Sequence, residues 1–237
     1  MPNLDISPAK TGQTLALRFF LFGKLIPVLV FTFFGMIQVF HVLSTLSLVH
    51  FHPSLSHYLL LVSEMLYAVF SAILVFTYVI RQQPKQQDSR LTIRVVAFVA
   101  TFMMVFLGGY VSPGPLLVQF PTIMNLLGII VMGIAYLLEI FSLFFLRTSF
   151  SIIPEARDLV SHGPYQFVRH PIYLAEILAV ASIFFSSIHL FMLVEFFFLV
   201  FLQTRRIAAE EKILSKTFPY HAEFCKTTKF RLIPGVW

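Results

Sequence analysis

Long apolar runs alternate with short polar breaks along the chain, at a length suited to a bilayer rather than a soluble core. Apolar residues dominate roughly 19–46, 58–80, 91–112, 119–146, 171–187 and 189–204. A helix rises about 1.5 Å per residue, so about 20 residues cross some 30 Å of hydrocarbon. The first four runs meet that length. The last two share only the residues between Pro171 and Gln203, and Ser186-Ser187-Ile188-His189 supplies the turn of a short helical hairpin. A single long tilted helix is the competing reading. Over 205–226 the pattern changes: Ile207, Ile213, Leu214 and Phe218 interleave at helical spacing with Arg206, Glu210, Lys212 and Lys216. That pattern predicts an amphipathic helix along the membrane interface. The segment Phe230-Arg231-Leu232-Ile233-Pro234-Gly235 then ends any helix in a turn.

Charge position decides the number of crossings. Lys10, Arg18 and Lys24 surround the first run, while Arg81, Lys85, Arg90 and Arg94 flank the second loop. Arg147, Arg157 and Arg169 lie in the fourth loop, and seven Lys or Arg residues from Arg205 to Arg231 follow the last run. The loops 47–57, 113–118 and 186–189 hold no Lys or Arg. With six spans every basic residue falls on one side, which the positive-inside rule makes cytoplasmic; with five the basic segments would face opposite sides. Six spans with both termini cytoplasmic are therefore expected. The membrane would be the inner membrane of a prokaryote or the endoplasmic reticulum of a eukaryote.

Composition agrees and narrows the class. Of 237 residues, 58% are hydrophobic and 12% charged, with 29 Phe, which excludes an ordinary soluble domain. The fold expected is all-α: one polytopic membrane helix bundle over 1–237, with no length left for a separate soluble domain. The first apolar run is too long for a signal-peptide core and is read as a retained span. The net charge of +6 is the topological signal, with some attraction to anionic membrane lipids, and calls for no nucleic acid. A lone cysteine, Cys225, excludes an intrachain disulfide and a cysteine-based metal site. His50, His52 and His57 match no strong ligand spacing and read as interfacial residues, so no metal is expected. The oligomeric state is not legible.

Chemistry concentrates in two segments. The stretch His162–Tyr173 packs two prolines, a glycine, an arginine, two histidines and two tyrosines into an otherwise apolar protein. Pro171 suits the first turn of a helix, where its missing N–H leaves nothing unpaired. The second segment, Arg205-Arg206-Ile207-Ala208-Ala209-Glu210-Glu211, leaves the last span on the same face; Arg206 and Glu210 are one helical turn apart. Glu139, Glu176 and Glu195 fall inside apolar runs, where ionisable groups are costly and mark function by default. Glu176 is the strongest of them because it shares a helix face with Tyr173. Gln38 and His41 read as polar contacts between helices.

Together the two segments resemble the isoprenylcysteine carboxyl methyltransferase and phospholipid methyltransferase family of integral membrane enzymes. The resemblance rests on Gly163-Pro164-Tyr165, Arg169-His170-Pro171 and Tyr173, then a short hairpin, then Arg206, Glu210-Glu211, Leu214, Phe218 and the closing Leu232-Ile233-Pro234-Gly235, over roughly 155–237. It implies a cofactor-binding and catalytic region over 151–237, preceded by N-terminal helices over 1–150. It implies S-adenosyl-L-methionine as cofactor, contacted by Leu159, Val160, Gly163, Tyr165, His170, Pro171, Ile172, Tyr173 and Glu210. Arg206 and Glu176 would meet the substrate, and Arg206, Glu210 and Glu211 would carry catalysis. Four positions depart from the family: Ala175 and Pro219 stand where it often has glycine, and Ala208-Ala209 where eukaryotic members are acidic. The activity implied is methylation of a lipid-linked carboxylate, on an isoprenylated small molecule or protein. An amine headgroup is the alternative acceptor, and an NADPH-dependent sterol-reductase-like enzyme the alternative class.

Overall fold

A computed structural model describes residues 20–87, 90–110 and 115–237, leaving aside the side chains of 22, 87 and 102–110. Lys10, Arg18, the start of the first apolar run and part of the 113–118 loop lie outside the described residues. A π-type turn, Leu21–Leu25, leads into α1 (Ile26–Phe51), which pairs with α2 (Leu55–Ile80). The break between them is set locally. Pro53 bars helical continuation, and Ser54 caps α2 by accepting the His57 N–H at 3.2 Å. Then come α3 (Leu91–Tyr110), α4 (Thr122–Leu146), α5 (Pro171–Ala181), α6 (Leu190–Thr217) and α7 (His221–Thr227). Pro171 opens α5 at its first position, as its ring geometry favours.

Among the described residues, three segments are long and apolar enough to cross a membrane: Gly23–Phe51, Leu55–Ile80 and Thr122–Ser149. Shorter apolar helices lie at Leu91–Thr101 and Pro171–Phe185. Large apolar side chains point outward along them, among them Phe33, Met36, Phe40, Phe76 and Phe144, each at least 59% exposed. That surface suits hydrocarbon and not water.

α4 is the hub, packing against α2, α5 and the 3₁₀ turn Ser182–Phe185 that continues α5, while α3 packs on α6. Gly128 makes this possible. A Cβ there would stand 2.6 Å from the Ser182 carbonyl oxygen and 2.8 Å from Phe185 Cβ. Small residues at such crossings let helices touch in lipid, where no hydrophobic drive holds them together.

Two antiparallel ladders absent from the sequence reading join distant loops. Strand β1 (Gln86–Gln87) pairs with β3 (Glu155–Ala156), and β2 (Leu116–Gln119) with β4 (Ser187–His189). The turn expected at 186–189 is thus half of a ladder. The predicted helix over 205–226 is also corrected. α6 runs unbroken from Leu190 to Thr217, Phe218 turns extended, and α7 starts anew at His221. Pro219 is the cause, because a proline pushes the residue before it out of the helical region.

One buried ion cluster ties the N-terminal hairpin to the rest. Arg81, just past α2, donates to the Gly23 carbonyl at 2.7 Å, to Ser151 Oγ at 2.8 Å and to Glu155. Arg157 binds the same carboxylate and the Gln82 carbonyl. Burial, then the Arg81 charge, pulls the Arg157 guanidinium below its ordinary value, with Glu155 opposing the shift.

Candidate functional site

The site is assembled from the 150–173 segment, α6 and the chain's closing turn. Gly163 holds φ +63°, a region that L side chains rarely adopt, and a Cβ there would lie 2.7 Å from the Phe145 ring. It starts the 3₁₀ turn Gly163–Gln166, which buries Tyr165. The next stretch is strapped down by the C-terminal turn: Arg169 N–H donates to the Phe230 carbonyl at 3.0 Å and His170 N–H to the Arg231 carbonyl at 2.9 Å. The closing segment, read from the sequence as a helix stop and as the end of the quoted resemblance, therefore braces this stretch through its backbone.

These elements line a pocket that opens to solvent. Of the residues expected from the sequence, Leu159, Val160, Tyr165, His170, Ile172, Tyr173, Glu210 and Glu211 line it. Gly163, Pro171, Glu176 and Arg206 do not. Gly163 and Pro171 set the backbone that aims their neighbours. The sequence reading missed Phe150, Ile153, Arg169, His221 and Phe224 on the walls. Arg169 lay inside the quoted motif and could have been taken, whereas Phe150 and Phe224 carry no local signal.

The two adjacent glutamates differ in their surroundings. Glu211 is held by Arg169 Nη1 at 2.8 Å and Arg231 Nη2 at 2.9 Å, with His170 Nε2 at 3.5 Å. Burial alone would raise its carboxyl. The bond and charge of His170, then Arg169 and Arg231, win and hold it down at about 2. Such a carboxylate is a fixed counter-ion and a poor base. Glu210 accepts the Tyr173 hydroxyl at 2.8 Å. Among the described residues no Lys or Arg reaches it within salt-bridge distance, and His170 Nδ1 stands 3.8 Å away. The cavity thus presents one carboxylate without a strong counter-ion.

One buried polar atom at the same place lacks a hydrogen-bond partner among the described residues, Tyr165 Oη, while His170 Nε2 has only the long contact to Glu211. Burial, then the nearby Glu210, pushes the Tyr165 phenol well up, so it is a neutral O–H donor. The His170 and Tyr173 rings stack at 5.5 Å and 8°.

Behind Tyr173 lies the second half of the arrangement. The Arg206 guanidinium carbon sits 4.5 Å over the Tyr173 ring and is 1% exposed. Gln203, fully buried, and Glu176 surround it. Glu139 on α4 is buried within electrostatic range of Glu176, and Glu195 on α6 lies away from this group, half-buried. Tyr173 therefore links the Arg206 charge cluster to the cavity, with its ring on one and its hydroxyl in the other.

Residues 122–216 match the isoprenylcysteine carboxyl methyltransferase (ICMT) family. The match begins earlier than the resemblance over 155–237, taking in α4 with its Glu139, and stops short of the closing turn. No curated protein matches the chain. The matched span, about two fifths of the chain, contains both the His162–Tyr173 stretch and the Arg206–Glu211 stretch.

Proposed function

We propose that this protein transfers a methyl group from S-adenosyl-L-methionine to the carboxylate of a lipid-linked substrate, such as an isoprenylated cysteine, at the cytoplasmic rim of the membrane. The observation that carries the cofactor reading is Glu210: a carboxylate with no strong counter-ion, lining the pocket beside the unpartnered Tyr165 Oη. The residues fit such a molecule. Glu210 would meet its cationic amino-acid end, Tyr165 Oη would find a partner, and Leu159, Val160 and Phe150 would cover its flat base. The cofactor supplies a methyl group on a sulfonium.

The residues of this chain have three tasks. Alignment comes first, since displacement at a methyl group is in-line and positioning supplies much of the rate. Tyr173, fixed by Glu210 and by the stack with His170, forms the wall between the two sites. Exclusion of water comes second. An anionic acceptor and a sulfonium cation neutralise each other on the way to product, which a low dielectric favours. Acceptor binding comes third, by Arg206, whose fork suits a carboxylate. No general base is needed, because a carboxylate acceptor is already ionised. An amine acceptor would arrive protonated, and Glu211, held near 2, would not take its proton.

We read the topology as six spans with both termini cytoplasmic. Gly23, Arg81, Ser151, Glu155 and Arg206 meet at one end of the bundle, through contacts from Arg81 and Arg206 to the 151–155 segment. Residues 116–119 and 187–189 meet each other elsewhere. The chain leaves the first end and returns to it between Gln87 and Glu155, and again between His170 and Arg206. Each excursion comprises two helices, which supports an even number of crossings. The length of α6 past Arg205 and the separate α7 then form the cytoplasmic amphipathic part.

Purified protein incubated with labelled S-adenosyl-L-methionine and N-acetyl-farnesylcysteine tests the activity. Base-labile incorporation, diagnostic of a methyl ester, is expected. Base-stable incorporation into an aminolipid instead would assign the amine acceptor. Stabilisation by NADPH alone, with no transfer, would replace the methyltransferase reading with the reductase one.

A further inference from the structure

Arg206 is ringed by acceptors of the chain itself. Nη2 donates to the Ile152 carbonyl at 3.2 Å and Nη1 to Gln203 Oε1 at 3.1 Å. Glu176 Oε2 stands 3.5 Å from Nη1, at the outer limit of a hydrogen bond, and the same oxygen accepts from Gln203 Nε2. Nε is buried with no partner among the described residues. A carboxylate of this chain therefore already sits between a guanidinium and an amide N–H.

We propose that Glu176 is an internal stand-in for the acceptor: the substrate carboxylate takes its place between Arg206 Nη1 and Gln203 Nε2, and Glu176 swings out as it does so. The inference rests on the carboxyl methyltransferase reading and adds the residues that select the acceptor. Of the three ligands on Arg206, the Ile152 carbonyl is fixed backbone. Gln203 is fully buried, so moving it would strand an amide. Glu176 makes the longest contact, and its side chain is 24% exposed against 1% for Arg206, so it alone has a way out.

Charge makes the exchange obligatory. One guanidinium compensates one carboxylate, and a second anion in a low dielectric would be repelled. The neighbours reinforce this. Glu210 on α6, Glu139 on α4, and the phenols of Tyr173 on α5 and Tyr67 on α2 all lie within electrostatic range of Glu176, and Arg206 is the one cation facing it among the described residues. Gln203 sets the class of acceptor. Its N–H and the guanidinium both donate, so the vacated place accepts a planar anion and opposes a protonated amine. Glu176 and Gln203 are positioning and specificity residues, acting through Arg206.

Steady-state kinetics with N-acetyl-farnesylcysteine test the exchange. In Glu176→Gln the internal competitor is gone, and the KM for the carboxylate should fall at least about fivefold, as removing an occupied competing state requires. Gln203→Leu should raise that KM. In Glu176→Ala, added formate should fill the vacated place, raising the thermal midpoint and competing with the acceptor, with neither effect in wild type. That arm needs no turnover. An unchanged or higher KM in Glu176→Gln, or no formate effect on a folded Glu176→Ala, overturns the exchange even if wild type methylates the carboxylate. If wild type methylates no carboxylate, the parent reading fails instead, and the formate arm still decides whether the place exchanges anions. Should Glu176→Ala not fold, the kinetics of Glu176→Gln decide alone.

Discussion

Glu210 and Glu211 are adjacent in sequence yet do different work, because successive helix residues point about 100° apart. Glu211 turns towards Arg169 and Arg231, and Glu210 towards Tyr173 and the cavity. The folded-state value of Glu211 is depressed, from 4.5 to about 2, so its stabilising contribution is complete above 4.5 and is lost as the pH falls towards 2. Thermal midpoints followed down that range should decline for wild type more steeply than for Glu211→Gln, in which the acid-linked part is already missing. Equal slopes would mean that Glu211 is not held by these cations. At this scale the sequence marked the right residues without sorting them. The pair stood out by its position after the last span. Its division of labour depends on Arg231, brought back by a turn after a second helix, and on Arg169 from another segment. The burial of Arg206 behind Tyr173 was equally hidden, since i,i+4 spacing says nothing of which face a third helix covers.

Helices were the easiest elements to read, because hydrocarbon demands runs of apolar residues and Pro and Ser mark their ends. Observed bounds fall within a few residues of the expected runs for α2, α3 and α4. Elements that depend on distant partners were not legible. The ladders β1–β3 and β2–β4 are two to four residues long and carry no periodicity. The break at Phe218 was readable from Pro219 and was outweighed by the amphipathic pattern on either side. Helix packing is testable at Gly128. Leucine there must push α4 away from Ser182 and Phe185, and overpacking of this kind costs about 1–3 kcal/mol. A lowered thermal midpoint for Gly128→Leu, with Gly133→Leu as the control, is the expected result. No atom lies within 4 Å of a Cβ at Gly133, so loss of equal size there would show that the close approach is not what Gly128 serves.

At the scale of the whole molecule, the arrangement is a helical scaffold that brings segments from far apart in the chain to one end. The Arg81–Glu155–Arg157 cluster fastens the first hairpin to the 151–158 segment, and the closing turn fastens His170 from the other side. Both fastenings flank the cavity, so its shape is set by contacts that no single motif contains. The six-span reading places Cys225, the only cysteine, on the cytoplasmic side. A membrane-impermeant maleimide should label it in inside-out vesicles and spare it in sealed right-side-out ones. The reverse pattern would invert the topology and remove the site from the cytoplasm.

The central claim is that the cavity beside Glu210 binds a sulfonium cofactor through that carboxylate. Calorimetric titration of the purified protein with S-adenosyl-L-methionine measures it most directly. Saturable binding with one site per chain is expected, weakened at least about tenfold in Glu210→Gln, as loss of a charge-assisted hydrogen bond implies. No binding to wild type, or equal binding to both proteins, would contradict it.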